Sequence, residues 1–339
     1  MKRILLFALV IYLLLIALPL PLVFLTKDGD ETSPPIQPPV SDAGSSSPSS
    51  SPQEVQAGVF RLLRSDGTVY EVADKAFVLG TVSAEMYPSY HTEALKAQAV
   101  ASYTYYSAQR NLARKNPDPD LKGADFADTV GGHPLYYSDD DLKERWGDNF
   151  DAYHKKITEA VDAVFGRLIT YDNEPILAAY HAISAGVTED ASVVWGTDYP
   201  YLKPVASPGD KLAPDYQTIV SFTPDQLREK LANIKGCDLS GEPASWLGGD
   251  PEVSASGTVT KLLFGGAELT GRQLRDALDL RSACFTVAFS EERFTFTAAG
   301  YGHGVGMSQY GADYMARQGS TFEEILQHYY TGVVITAAG

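Results

Sequence analysis

The run Tyr301-Gly302-His303-Gly304-Val305-Gly306-Met307-Ser308-Gln309-Tyr310-Gly311-Ala312 concentrates side chains that could do chemistry. Three glycines alternate with His303 and Val305, and a polar helix start follows. Glycine suits places where the backbone takes positive φ or where another chain comes close. In such a loop His303, Ser308 and Gln309 read as a substrate-facing surface able to donate and accept hydrogen bonds. The competing reading is a tight turn around one buried, hydrogen-bonded histidine. Other catalytic patterns are absent from the sequence. Its six histidines include no His-Glu-x-x-His or comparable metal spacing. No Gly-x-Ser-x-Gly turn occurs, and neither Cys237 nor Cys284 has a histidine nearby in sequence. These absences argue against a metal-dependent hydrolase and against a serine or cysteine nucleophile.

The elements that must hold this loop alternate between strand pairs and isolated helices. Residues 58–64 and 68–72 flank Ser65-Asp66-Gly67, a hairpin signal. Phe77 to Met86 is ambiguous by pattern and is assigned as a short helix. Glu93 to Lys115 is a long helix, because Ala94, Ala97, Ala101, Tyr105, Ala108 and Leu112 recur every three or four residues. Thr92 is its expected N-cap, and Asn116-Pro117 ends it. Further helices are expected at Tyr153–Phe165, Pro224–Ile234, Gly271–Leu280, Met307–Arg317 (with Gly319 as cap) and Phe322–Tyr330. Strands are expected at Leu168–Tyr171 and Pro175–Ala182 around Asp172-Asn173, at Thr258–Phe264, and at Phe285–Phe289 with Arg293–Thr297. The fold class is therefore α+β, as one large domain or two fused lobes.

The N-terminus sets the compartment. Lys2 and Arg3 precede Ile4 to Leu25, an uncharged stretch of 22 residues. A bilayer-spanning helix needs about 20. With no small-x-small cleavage site after it, residues 1–27 read as an uncleaved signal anchor rather than a cleaved signal peptide. The basic flank stays in the cytoplasm, and the rest of the chain lies outside. Residues 28–56 are rich in proline and serine, which predicts a disordered tether. The domain proper then runs from 57 to 339. The chain has 27 basic and 43 acidic residues, a net charge of −16; setting aside Lys2 and Arg3 makes it −18. That balance argues against a nucleic-acid partner. Outside the cell the two cysteines could form one disulfide or remain two thiols.

Three separated segments resemble the stage II sporulation protein D family, also called the SpoIID/LytB domain family. They are Leu79-Gly80-Thr81-Val82-Ser83-Ala84-Glu85-Met86 running into Glu93 to Ala101; Val194-Trp195 through Tyr199-Pro200-Tyr201-Leu202 to Ser207-Pro208; and Leu278-Asp279-Leu280-Arg281-Ser282, the glycine-histidine loop, and His328-Tyr329-Tyr330-Thr331-Gly332-Val333. The resemblance runs from about residue 57 to the end. It implies a lytic transglycosylase that cuts peptidoglycan between N-acetylmuramic acid and N-acetylglucosamine during forespore engulfment, leaving 1,6-anhydro ends. Family substrates are glycan strands stripped of stem peptides by a partner amidase. A mother-cell membrane location facing the septal wall, within an engulfment complex, is implied as well.

By the same resemblance Glu85 is the catalytic residue; taken alone it reads as a solvated carboxylate at a helix end. Tyr180, His181 and Ser184 match an aromatic-His-Ser segment of the family and are candidates for the sugar cleft, with His303, Ser308 and Gln309. Tyr201 and Trp195 are candidates for ring stacking, with core packing the alternative for Trp195. The chain departs from the family at three points. Tyr103 stands where an arginine is usual, Ala185 replaces the first glycine of Ser-Gly-Gly, and Tyr87 replaces a proline. Some members hold zinc after the long helix. Here Asp125 to Pro134 contains no cysteine and one histidine, too few for a four-ligand site, so no metal or cofactor is expected. The departures leave a second reading open: a glycan-holding scaffold or an activator of a partner amidase.

Overall fold

The computed structural model describes residues 58–130 and 133–337. The expected anchor (1–27) and tether (28–56) lie outside the described residues, and among those described no helix is long and apolar enough to cross a membrane. The folded chain is α+β. It forms two compact units, one comprising residues up to Ala179 with Ala316–Gln327 and the chain from Gly332 on, the other Tyr180–Met315 with His328–Thr331.

In the first unit the predicted hairpin is Val59–Leu63 against Val69–Ala73, with Val59 opposite Ala73. Asp66 accepts a hydrogen bond from the Thr68 N–H at 2.8 Å across the turn. Alternation along the strand sends Phe60 and Leu62 inward against Phe77, Tyr106 and Phe126. The helix Asp74–Glu85 follows at once. Gly80 sits in its middle, usually a poor place for glycine. Here a Cβ would strike the Tyr137 carbonyl and the Tyr136 ring, so the residue is set by close packing.

The long helix spans Thr92–Lys115. Its N-cap is His91, not Thr92: His91 is extended, and its Nδ1 accepts the Glu93 N–H at 3.3 Å. The alanine stripe suggested one buried face, yet Ala97 through Thr104 are buried on all sides. This helix is the unit's axis, and several of its polar residues are satisfied internally. Thr104 Oγ1 donates to the Val100 carbonyl at 2.7 Å and accepts from the Ile169 N–H at 3.0 Å. Gln98 donates to Ser102 at 3.0 Å.

Phe150–Val164 lies against the long helix through Ile157, Ala160, Val161 and Val164. An unanticipated helix, Asp139–Trp146, precedes it with a Ser138–Asp141 capping box. Its single buried residue, Leu142, gives no readable period. Arg167–Tyr171 turns through Asp172 and Asn173, both at positive φ, into Glu174–Pro175, the backbone a tight hairpin demands. Val334–Ala337 pairs on its other side.

The second unit is built on the hairpin Phe285–Ser290 with Arg293–Ala299, extended by Gln217–Phe222. That last strand was not anticipated. The hairpin covers a core of Trp246, Phe264, Phe285, Phe294 and Phe296, in which the Trp246 and Phe294 rings stack 5.5 Å apart. The helix Pro224–Lys230 is shorter than expected, and Gly271–Leu278 ends at Asp279 in the left-handed region. Two expectations are corrected. The strand Pro175–Ala182 is interrupted: its second part, Tyr180–His181, runs parallel to Met307–Ser308. Met307 and Ser308 are therefore extended, and the helix begins at Gln309. The cysteines are not bonded to each other. Cys237 lies 3.7 Å from the Phe264 carbonyl, and Cys284 lies 3.4 Å from Thr258 Oγ1.

Candidate functional site

Glu85 is the last residue of its helix and is half-buried. Its neighbours Val82, Ala84 and Met86 are sealed in the core. The Met86 N–H closes on the Val82 carbonyl at 2.9 Å, so the chain leaves the helix at a defined angle. The other end of this helix is fixed by Asp74, which is buried. Arg110 Nη1 donates to it at 2.7 Å and the Tyr103 hydroxyl at 3.3 Å. Tyr103, in place of the expected arginine, thus anchors the start of the helix that presents Glu85.

The remaining predicted residues, Tyr180, His181, Ser184, Tyr201, His303, Ser308 and Gln309, all belong to the second unit. The glycine-histidine loop owes its alternation to backbone geometry. Gly300, Gly302, Gly304 and Gly306 all have positive φ, and the residues between them do not. At Gly302 a Cβ would also lie 2.8 Å from that of His181. The loop is stitched to two other segments. Tyr301 and Ile183 exchange both backbone hydrogen bonds, Glu189 N–H donates to the Gly304 carbonyl at 2.8 Å, and Gly302 N–H donates to the Arg281 carbonyl at 2.9 Å.

His303 is buried with both ring nitrogens engaged by backbone. Nδ1 accepts the Val305 N–H at 3.0 Å, which leaves Nε2–H to donate to the Tyr180 carbonyl at 3.0 Å. The structure thus has the buried, hydrogen-bonded histidine of the alternative reading. His181 is also fully buried, its ring 5.6 Å from that of His303. Its Nδ1–H donates to the Val305 carbonyl at 3.1 Å. Its Nε2 is buried with no hydrogen-bond partner among the described residues. Burial lowers the His181 pKa to about 4, only partly offset by the Val305 carbonyl. Burial, with smaller repulsion from His181 and Arg275, holds His303 well below its ordinary value. Both imidazoles are neutral.

Ser184 and Ser308 meet at a residue the sequence reading missed. Asp210 is buried and accepts from the Ser184 N–H at 2.9 Å, from Ser184 Oγ at 2.5 Å and from Ser308 Oγ at 2.7 Å. Burial pushes its carboxyl up, and hydrogen bonds led by Ser184 hold it back. Ser308 Oγ also accepts the Gly311 N–H at 3.2 Å, which caps the helix Gln309–Arg317. Ser207 joins the same cluster through a 2.7 Å contact with the Tyr329 hydroxyl. The segment that resembles the family ends at Ser207-Pro208, two residues short of Asp210. Gln309 is buried at the helix start, while Tyr180 and Tyr201 are half-buried. The Tyr201 ring lies 5.7 Å from Tyr199, and half-buried Trp195 lies 5.2 Å from His303. A second unanticipated carboxylate, Glu189, is buried and accepts from Ser254 Oγ at 2.5 Å. Among the described residues no three or more His, Cys, Asp or Glu side chains form a metal-holding group. A cavity of about 20 Å³, room for one water, is lined by Ser184, Ser282, Cys284 and His303 among others.

Comparison with known proteins bears out the family that these motifs resemble. The chain belongs to the SpoIID family of stage II sporulation proteins, whose family model matches residues 65–171. It is 36% identical over 271 residues to stage II sporulation protein D of Bacillus subtilis, covering 80% of this chain and 76% of the relative. It is 37% identical to the protein of that name from Bacillus amyloliquefaciens, over 81% of this chain and 77% of the relative. It is also 26% identical over 310 residues to the amidase enhancer of Bacillus subtilis, of which it spans 40%.

Proposed function

We propose that this protein is a peptidoglycan lytic transglycosylase acting on peptide-stripped glycan strands during engulfment, with Glu85 as its single acid–base. The observation that carries this reading is the setting of Glu85. It is a half-buried carboxyl at a helix end whose flanking residues are locked into the core. Most glycosidases need two carboxylates. Lytic cleavage needs one, because the C6 hydroxyl of the muramic acid serves as an internal nucleophile. Glu85 protonates the departing glycosidic oxygen. It then takes the proton from the C6 hydroxyl as that oxygen bonds to the anomeric carbon, which closes the 1,6-anhydro ring without water. Holding the hydroxyl in line exploits intramolecular reactivity, and the proton transfers supply about 10²–10⁴-fold in rate.

In this reading the second unit, taken by itself, carries further glycan-binding candidates. Half-buried Tyr180 and Tyr201 contact sugar, while Gln309 is buried at its helix start and supports the loop. His181, Ser184, His303 and Ser308, whose polar atoms are largely engaged within the protein, hold the loops in shape. An N-terminal anchor fixes the domain to the membrane on its outer side, facing the septal wall, beside a partner amidase that supplies stripped strands. The test is digestion of peptide-stripped glycan with products read by mass spectrometry. Anhydro ends that vanish with Glu85→Gln support the assignment, and their release at an unchanged rate refutes it. The likeness to an amidase enhancer supports a second reading, a glycan-holding activator of an amidase. That reading predicts stimulation of the amidase and no anhydro ends.

A further inference from the structure

We propose that Tyr87, backed by Tyr90, is a stacking platform for one sugar ring of the glycan strand next to the bond that Glu85 acts on. The proposal deepens the reading of Glu85 as the acid–base and rests on it. Tyr87 comes two residues after Glu85, so its Cα lies within about 7.6 Å of that residue's Cα. It is 43% exposed, one of the large apolar side chains left on the surface. Its ring meets the edge of Tyr90, with centroids 5.6 Å apart and planes at 61°.

What separates this pair from incidental surface aromatics is how firmly its turn is held. The Tyr90 N–H donates to the Tyr87 carbonyl at 3.0 Å. Lys156, from the helix Phe150–Val164, donates to the carbonyls of Pro88 at 2.8 Å and Tyr90 at 2.7 Å. Arg317 donates to the carbonyl between them, that of Ser89, at 3.1 Å. Two cations distant in sequence therefore grip three successive carbonyls of a four-residue surface turn. Fixing two long side chains costs conformational entropy, and a turn that only joined two helices would not need it. The result is an aromatic face held still before any ligand arrives, which lowers the entropy lost on binding.

The chemistry of the face selects the ligand. An uncharged, rigid ring with a negative π-face suits the C–H face of a pyranose. Its place in the chain puts that ring beside the scissile linkage. The substitution of tyrosine for the proline expected by resemblance is then a gain of binding surface.

The experiment uses the full-length chain in detergent carrying Glu85→Gln, so that binding is read without turnover. Affinity for peptide-stripped glycan strands is measured for this parent and for Tyr87→Ala, Tyr87→Phe and Tyr87→Trp, with thermal unfolding alongside. Tyr87→Ala should weaken binding roughly five- to tenfold. Tyr87→Phe should stay within about twofold and Tyr87→Trp should bind at least as well, because the face and not the hydroxyl makes the contact. Parent affinity in Tyr87→Ala overturns the proposal. So does a loss in Tyr87→Phe as large as in Tyr87→Ala. The two readings fail separately: continued anhydro-end release by Glu85→Gln refutes the acid–base role, whereas the affinity ratios judge the platform alone.

Discussion

Acid should unfasten the glycine-histidine loop, and the histidines beneath it set the size of the effect. His181 has a pKa of about 4 in the fold, against about 6.5 in an unfolded chain. Between those values the unfolded chain binds a proton that the folded chain refuses. The stability that depends on a neutral His181 is therefore fully present above pH 6.5 and declines as pH falls toward 4. The whole difference is worth about 3 kcal/mol, and about 2 kcal/mol of it is lost between pH 7 and pH 5. His303 is displaced in the same direction and adds to the loss. Carboxylates also titrate in this range, so the informative quantity is a difference between variants. Urea unfolding of the parent and of His181→Gln, at pH 7 and pH 5, isolates the His181 share. The variant starts less stable, because its side chain cannot reproduce the bond to the Val305 carbonyl, but it should lose about 2 kcal/mol less than the parent on acidification. His303→Gln and the double variant should flatten the dependence further. An identical pH response in parent and His181→Gln would refute the claim that this imidazole is buried and neutral.

Other outcomes can be checked on the same material. Asp210→Ala strands the hydroxyls of Ser184 and Ser308 and should cost at least about 3 kcal/mol, read as a drop in the urea midpoint; Asp210→Asn should cost less. Gly302→Ala forces a side chain into positive φ and against His181, and should destabilise by about 2 kcal/mol or more. Because the cysteines are unbonded and burial raises both thiols, thiol treatment should leave non-reducing gel mobility unchanged. Glu85→Gln should lower anhydro-end release at least about 100-fold while leaving the unfolding midpoint within a few degrees of the parent.

Elements set by short-range pattern were legible in the sequence, and elements set by partners were not. The hairpins around Asp66-Gly67 and Asp172-Asn173 announce themselves through turn residues, and the structure puts the latter pair at positive φ. The long helix was visible from its small residues, yet its burial on every side was not. Gln98, Ser102 and Thr104 look solvent-facing until internal hydrogen bonds account for them. Tyr180–His181 falls in an expected strand and is extended, but its pairing with Met307–Ser308, which reads as helix, is not legible in the sequence. Each is only two residues long and is extended only because the other lies beside it, a pairing across more than a hundred residues that local propensity cannot contain. The same distance hid Asp210. Nothing near it in sequence marks it as special, whereas in space it receives Ser184 from one segment and Ser308 from another. Residues picked out as sugar ligands by type turn out to be joined through a carboxylate that the pattern did not include. The glycines of the loop, read as sites of unusual backbone or close approach, all have the unusual backbone, and Gly302 is both at once. Their alternate positive φ values fold the chain around His303, and that is why the ring's two nitrogens are spent on Tyr180 and Val305. A histidine used in this way shapes the loop around it, so its replacement should disturb folding stability and pH response first.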